Sequence, residues 1–405
     1  MKILYHHRTM GRGAEGIHIA SIMKALEALG HEVVVVSPPG MNALDGMGNV
    51  PLDKSDDRVG GLSLLWKTIS RKAPQVFFEL LEVFYNFHAI VRMKRILEKE
   101  KIDFLYERNA YFLFAGAYIS RQFGLPLAIE ANEVVGIKRA RGLVLKQLAA
   151  SIEKYAFRRA KAIFVVSTFL HNRAASLVGD RVPVFVTPNA IDPAIFERST
   201  RRDAIRSNFN ISDKTVLGFA GWFDWWDRLD LLLEVQRSIM DAGYGNVATM
   251  LIGDGPLMTE LRAKAKKLDL EQSVVFTGPV ERKNVIDYLD AMDIGVLPHS
   301  NEFGSPVVLF EMMALGKPVV APSLMPIRDV VTDNQNGLLF PPLDRDALVR
   351  NVRTLIDSPE LRLRLGSRAR EIVMDRHTWG RNARKVVDAM QSEPVAACHG
   401  DTACQ

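Results

Sequence analysis

Residues 298–320 read PHSNEFGSPVVLFEMMALGKPVV, and the fold is read outward from them. Ile294 to Leu297 is a short apolar strand after Asp293, His299 to Gly304 a polar loop, and Ser305 with Pro306 a helix opening. Serine is a favoured N-cap, and proline's fixed φ suits the first helical position, where its missing N–H would be unpaired anyway. The amides of Val307, Val308 and Leu309 then lack intrahelical acceptors. With the positive end of the helix dipole they form an anion site that suits a diphosphate. Phosphate would repel Glu311, a few residues further in, so hydroxyls such as a ribose diol are its natural partners. The same residues also fit a plain capped helix with Glu311 as a favourable early charge.

Strands and helices alternate on both sides of this unit. Lys2 to His6 is a short strand, HRTMGRGAEG a glycine-rich loop, and Ile17 to Leu29 a helix that Gly30 ends, before a buried strand at Glu32 to Ser37. Further strands are expected at Phe104 to Tyr106, Pro126 to Glu130, Ala162 to Val166 and Val184 to Thr187. The pattern restarts with strands at Val216 to Ala220, Ala248 to Ile252, Val274 to Phe276, Ile294 to Leu297, Pro318 to Ala321 and Gly337 to Phe340. Helices alternate with them at Leu229 to Ala242, Pro256 to Lys267, Val285 to Ala291, Val307 to Leu315, Asp344 to Asp357 and Pro359 to Val373. Two doubly wound α/β domains follow, joined near Pro188 to Phe196. Ligands in open α/β sheets bind beyond the carboxyl ends of strands, so the loops after Tyr5, Ala220, Ile252 and Leu297 should face a cleft.

Composition agrees with two soluble domains: 405 residues exceed what one core usually serves, and 48% are apolar against 24% charged. No run of 18 apolar residues occurs and the chain begins MKILYHH, so a cytoplasmic protein is expected. Cys398 and Cys404 fall in a polar tail, 393–405, expected to be disordered, and imply neither a disulfide framework nor a metal site. The first 200 residues carry 27 Lys and Arg against 19 Asp and Glu. Much of that charge lies in 64–101, where Trp66, Phe77, Phe78, Phe84, Tyr85 and Phe87 mix with Lys67, Arg71, Lys72, Arg92, Lys94 and Arg95. Such a segment suits an anionic membrane surface, which would place the protein on the inner face of the membrane; an amphipathic helix pair packed on a sheet is the plainer reading. No recognition motif accompanies the basic residues, so nucleic acid is not an expected partner.

The segments MLIGDGPL (250–257), VVFTGPV (274–280), YLDAMDIGVLPHS (288–300), SPVVLFEMMALGKPVVAP (305–322) and NGLLFPPLDRDALVRNV (336–352), in this order and spacing, resemble the family 4 retaining glycosyltransferases of the two-domain GT-B fold. GAEGIHIASIMKALEALGHEVVVVSP and PNAIDPAIF extend the resemblance into the first half. It implies two Rossmann-like domains facing a cleft: an acceptor-side domain over 1–192, a nucleotide-sugar donor domain over 193–374, and a last helix within 375–392 that crosses back to the first. Donor contacts are implied for Gly16, Gly221, Trp222, Gly253, Val280, Ser305, Pro306, Val307, Val308, Leu309 and Glu311, the last on the ribose.

Two departures stand out. The family's first glutamate, eight positions before Glu311, falls on Phe303, as in the members with a G-S-P stretch, and leaves Glu302, one place early, as the candidate for that role. The Arg and Lys that commonly neutralise the diphosphate read Trp222 and Asp227, so Arg228 becomes the candidate cation. A positioned cation at a leaving diphosphate can be worth several kcal/mol. The tryptophans of 222–226 suit stacking on donor or acceptor, or a packed loop. Gly11, Gly13 and Gly16 suit backbone approach to the phosphates, and His18 follows them. Glu107, Arg108, Glu130 and Glu133 end strands on the acceptor side, where Arg108 and Glu130 are the candidates to hold or deprotonate an acceptor hydroxyl; an interior ion pair such as Glu107 with Arg108 is the alternative. The Asp-x-Asp of LDRD (343–346) reads as a helix N-cap at Asp344, so no metal and no cofactor are expected. The resemblance thus implies a retaining, metal-independent transfer from a nucleotide-diphosphate sugar to a saccharide or lipid-linked acceptor in envelope polysaccharide assembly. A noncatalytic binding subunit and an epimerase or hydrolase of the same fold are the alternatives.

Overall fold

The computed structural model describes residues 1–9, 14–38, 74–137, 142–196 and 201–392. Gly11, Gly13, the part of 64–101 before residue 74, and the tail 393–405 with both cysteines lie outside the described residues.

The first sheet contains β1 (Lys2–His6), β2 (Glu32–Val36), β3 (Phe104–Arg108), β4 (Leu127–Ala131), β5 (Ala162–Val165) and β6 (Val184–Val186). All its pairings are parallel, in the order β2-β1-β3-β4-β5-β6. Parallel strands need helical crossovers, which cover both faces and account for strands such as FLYER and LAIEA being buried along their whole length. Helix α1 (Ala14–Ala28) lies on one face. Helices α2 (Gln75–Leu97), α3 (Ala115–Phe123), α4 (Lys146–Arg159) and α5 (Thr168–Val178) lie on the other. Helix α1 begins three residues before the expected Ile17, so Gly16 sits buried in its first turn and not in a loop.

The second sheet contains β7 (Thr215–Trp222), β8 (Val247–Asp254), β9 (Val274–Gly278), β10 (Ile294–Val296), β11 (Val319–Pro322) and β12 (Leu338–Phe340). Its order is β12-β11-β10-β7-β8-β9, again parallel. The period-two alternation of β7 sends Val216 and Ala220 into one core layer and Leu217 and Phe219 into the other. Helices α6 (Arg202–Asn208), α9 (Val285–Asp290), α10 (Val307–Ala314), α11 (Met325–Arg328) and α13 (Pro359–Arg376) serve the first layer. Helices α7 (Leu229–Asp241), α8 (Met258–Lys267) and α12 (Arg345–Asp357) serve the second. Asp344 caps α12 through its side chain, which accepts from the Ala347 amide at 2.9 Å, as expected of LDRD.

Strand order reverses between β1 and β3 in one sheet and between β10 and β7 in the other. Crevices open at such switch points, beyond the carboxyl ends. The two domains are Rossmann-like and face each other across these crevices, the GT-B arrangement. The chain crosses between them twice. The crossings pair with each other: the Ile191 amide donates to the His377 carbonyl at 3.0 Å and the Trp379 amide to the Ile191 carbonyl at 3.1 Å. Helix α14 (Trp379–Gln391) then packs Trp379, Ala383, Val386, Val387 and Met390 beside α1 in the first domain's core.

The ends of β7 and β8 approach so closely that a Cβ on Gly253 would stand 2.0 Å from the Gly221 carbonyl oxygen, at a φ of +122°. Gly253 is therefore a packing glycine. Gly253→Ala should lose at least about 2 kcal/mol of stability in denaturant unfolding. Gly30→Ala, at a φ of +83° in open space, should lose only about 1 kcal/mol.

Candidate functional site

The second domain's wall of the cleft is built at the β10–β7 switch point. Helix α10 starts at Val307 with Pro306 as its N-cap residue, and no side chain caps it. This corrects the expected Ser305 cap. The Ser305 hydroxyl turns instead toward the crossing, accepting from the Asn189 amide at 3.1 Å, while Asn189 Nδ2 donates to the Ser305 carbonyl. The Leu309 amide donates to the Pro306 carbonyl at 3.2 Å, so of the three amides expected at the anion site, Val307 and Val308 remain. Glu311 is buried on the next turn, and its carboxylate is ion-paired with Arg282. Arg282 follows the half-buried Val280, which packs on the same core layer as α10.

The loop before α10 is shaped by Asn301, whose Oδ1 accepts from the amides of Phe303 and Gly304. Phe303, at the position of the expected glutamate, packs against the first domain's core, and its carbonyl accepts from Ser167 Oγ at 2.6 Å. Glu302 is exposed at the loop tip. Shifting the loop by one residue to bring Glu302 inward would pull Phe303 out of that core, so the two adjacent positions have opposite roles. Close by, Thr168 donates through its amide and hydroxyl to Asp329 at 2.7 and 2.6 Å, a second tie between the domains.

Beyond β7, a single-turn helix at Trp225–Asp227 closes with a reciprocal capping box between Asp224 and Asp227. Asp227 is largely buried. Burial, opposed by the Asp224 amide and aided by the Asp224 charge, pushes its carboxyl up to about 7. Arg228 takes a left-handed backbone at φ +48° and grips Asp230 in a bidentate pair at 2.8 and 3.0 Å. The expected free cation is thus already neutralised, because its inverted backbone aims it along α7. Trp222 and Trp225 are exposed at the crevice end of β7, and Trp225 meets Trp226 edge to face. His299 Nδ1 donates to the Trp226 carbonyl at 3.1 Å, joining the two loops across the switch point.

The first domain's wall is more tightly bonded. Arg108 pairs with Glu130 and not with Glu107. Glu130 also accepts from Tyr106 Oη at 3.0 Å, Asn132 Nδ2 at 2.9 Å and His18 Nε2 at 3.1 Å. Burial raises its carboxyl, but the charges of His18 and Arg108 and these hydrogen bonds outweigh it and hold Glu130 well below the usual carboxylate range. His18 Nδ1 lies 2.7 Å from Asn189 Oδ1. A continuous chain Arg108–Glu130–His18–Asn189–Ser305 therefore runs from one wall to the other. Glu107 joins His6 Nδ1 at 2.6 Å and accepts from the Gly116 amide at 2.9 Å, while His6 Nε2 meets Tyr85 at 3.2 Å. His7 is buried with neither ring nitrogen hydrogen-bonded, as are the Thr9 hydroxyl and Asn132 Oδ1. Burial lowers the His7 imidazole to about 4, so it is neutral near pH 7. Among the described residues no group of three His, Cys, Asp or Glu is placed to hold a metal ion.

Arg282, Asn189 and His7 were not singled out from sequence. Asn189 carried a signal, its place in the crossing segment PNAIDPAIF; Arg282 and His7 carried none, since contacts over long sequence separations define them.

Comparisons with known proteins divide the chain at the same crossing. Residues 15–195 match the family model described as Glycosyltransferase Family 4, and residues 201–372 the model described as Glycosyl transferases group 1. A GDP-mannose-dependent alpha-mannosyltransferase of Mycolicibacterium smegmatis is 27% identical, over 89% of this chain and 88% of its own. A 2-deoxystreptamine glucosyltransferase of Streptomyces kanamyceticus is 23% identical over 85% and 89%. Among solved structures, HepE of Anabaena in complex with UDP superposes with a TM-score of 0.71 at 18% identity, covering 97% of this chain and all of that one, a likeness of fold.

Asp227 supplies a test of whether the second domain's wall holds a nucleotide. Its carboxyl is neutral below about 7 and charged above, so repulsion of a nucleoside diphosphate grows as pH rises through 7. Titration calorimetry should find affinity falling above pH 7, with Asp227→Asn tightening binding at pH 8 by about three- to tenfold and flattening the profile.

Proposed function

We propose, for a chain that belongs to the GT-B-fold glycosyltransferase superfamily and transfers a sugar from a nucleotide-diphosphate donor to an acceptor, that it is a retaining, metal-independent hexosyltransferase of the family 4 type. The observation that carries this reading is Glu311, buried one turn inside a helix start whose Val307 and Val308 amides open on the switch point. In this reading the amides hold the diphosphate, Glu311 the ribose, and Gly221 and Trp222 border the sugar. Arg282, whose guanidinium already pairs with Glu311, supplies the cation that Trp222 and Asp227 do not.

The carboxylates favour one retaining route over the other. A double displacement needs a free carboxylate nucleophile, and Glu130 is committed to four donors while Glu302 is exposed on a loop tip. Front-face attack needs none: the departing phosphate oxygen takes the acceptor's proton as charge builds on the leaving group. The acceptor hydroxyl is held near neutral His7 and Arg108 in the first domain. Relatives that act on mannosyl and glucosyl donors support a hexose, and a saccharide or lipid-linked acceptor of envelope polysaccharide synthesis at the cytoplasmic face of the membrane fits the basic first half.

A second reading, a noncatalytic nucleotide-sugar binding subunit, draws on the commitment of Arg228 to Asp230. Release of nucleoside diphosphate from a panel of donor sugars, with and without acceptors, separates the two. Turnover with the product anomer matching the donor by NMR supports the transferase; binding without turnover on any acceptor supports the subunit; an inverted product would overturn retention. Glu311→Ala should weaken nucleotide binding by about tenfold or more in both readings, and unchanged affinity would remove the donor from this helix start.

A further inference from the structure

Helices α2, α3 and α4 lie side by side on one face of the first sheet, and their outer surface is the reverse of what solvent favours. On α2, Phe77, Leu80, Leu81, Phe84, Phe87 and Val91 recur at helical spacing and are exposed, Phe84 by 61% and Phe87 by 58%. The patch continues onto the start of α4, since the amides of Val144 and Leu145 bind the Glu79 carboxylate at 2.8 and 2.7 Å and bring exposed Val144 and Leu148 beside it.

Charge on this layer has one sign. The three helices carry eight Lys and Arg and three acids. The acids turn away from solvent: Glu79 binds those amides, Glu153 accepts from the Val135 amide, and Glu82 lies 3.5 Å from Arg8. Between α3 and α4 a groove of about 550 Å3 is lined by Arg121, Ser151, Lys154, Tyr155, Arg158 and Arg159, with no carboxylate. The Arg159 Nε in that groove is buried without a hydrogen-bond partner.

We propose that the outer face of α2, α3 and α4 is a docking surface for a bilayer containing anionic phospholipid, with the α2 stripe in the acyl boundary and a lipid phosphate in the Arg121–Lys154–Arg158 groove. Among the described residues no helix is long and apolar enough to cross a membrane, so the association is interfacial. Apolar area and cations act together in such binding, each cation near an anionic surface contributing about fivefold to partitioning. A second copy of the chain would also cover the stripe, but would not explain cations without acids beside it.

Co-sedimentation of the full chain with vesicles tests this. Vesicles of phosphatidylcholine mixed with phosphatidylglycerol should bind the protein, less so at high salt, and phosphatidylcholine alone should not. Phe84→Ser with Phe87→Ser should reduce binding by about tenfold or more, and Arg121→Gln with Lys154→Gln by about twenty-five-fold. Nucleoside diphosphate affinity, measured on the same variants, should be unchanged, which keeps this result separate from the donor reading. Equal binding to both vesicle types, or variants that bind like the parent, would overturn the proposal. So would a chain that ignores vesicles while the serine pair lowers its melting temperature or splits a dimer, or one whose groove takes up inorganic phosphate only.

Discussion

The two crossings of the chain between domains are hydrogen-bonded to each other, Ile191 against His377 and Trp379, and the geometry of the cleft depends on that pairing. A single linker would let the domains rotate freely. Two paired linkers, with Asn189 two residues from one crossing binding both His18 and Ser305, restrict that rotation. The walls of the two domains are thereby joined by a few polar groups, all buried, where each unmet bond would cost about 1–3 kcal/mol. The loop of Phe303 completes the arrangement from the second domain, and the Thr168–Asp329 contact reinforces it.

Within that frame the second domain's wall is short of positive charge. Arg228 is bound by Asp230, Arg282 by Glu311, and two aspartates occupy the turn after β7. A carboxyl raised by burial to about 7 carries less negative charge at that pH than an exposed aspartate would. The burial that raises Asp227 is the same burial that makes its capping box rigid, so local structure and electrostatics have one cause. On the first domain's wall the opposite holds: Glu130 is kept ionised by its partners and serves as a fixed hydrogen-bond acceptor that orients Arg108 and His18.

Much of this was legible in the sequence for a plain reason. Alternating apolar strands and helices with glycine or proline at their ends report local burial, and local burial is set by residue spacing. Elements such as β7, α10 and α12 therefore appear within a residue or two of where spacing puts them. Candidate site residues were legible as charged positions in buried elements, such as Glu311, Arg108 and Glu130, and less so as partners. Arg108 bonds Glu130 on the neighbouring strand because adjacent residues on one strand point to opposite faces. Ser305 reads as a cap, and a tertiary acceptor won its hydroxyl.

By itself, then, the sequence determined two doubly wound α/β domains and the helix that opens at Val307, since period and length act over a few neighbouring positions. Only the tertiary structure decided which charges remain available, because ion pairs such as Arg282–Glu311 and contacts such as Phe303 on the first domain's core form between segments far apart in the chain. Local spacing carries no record of them.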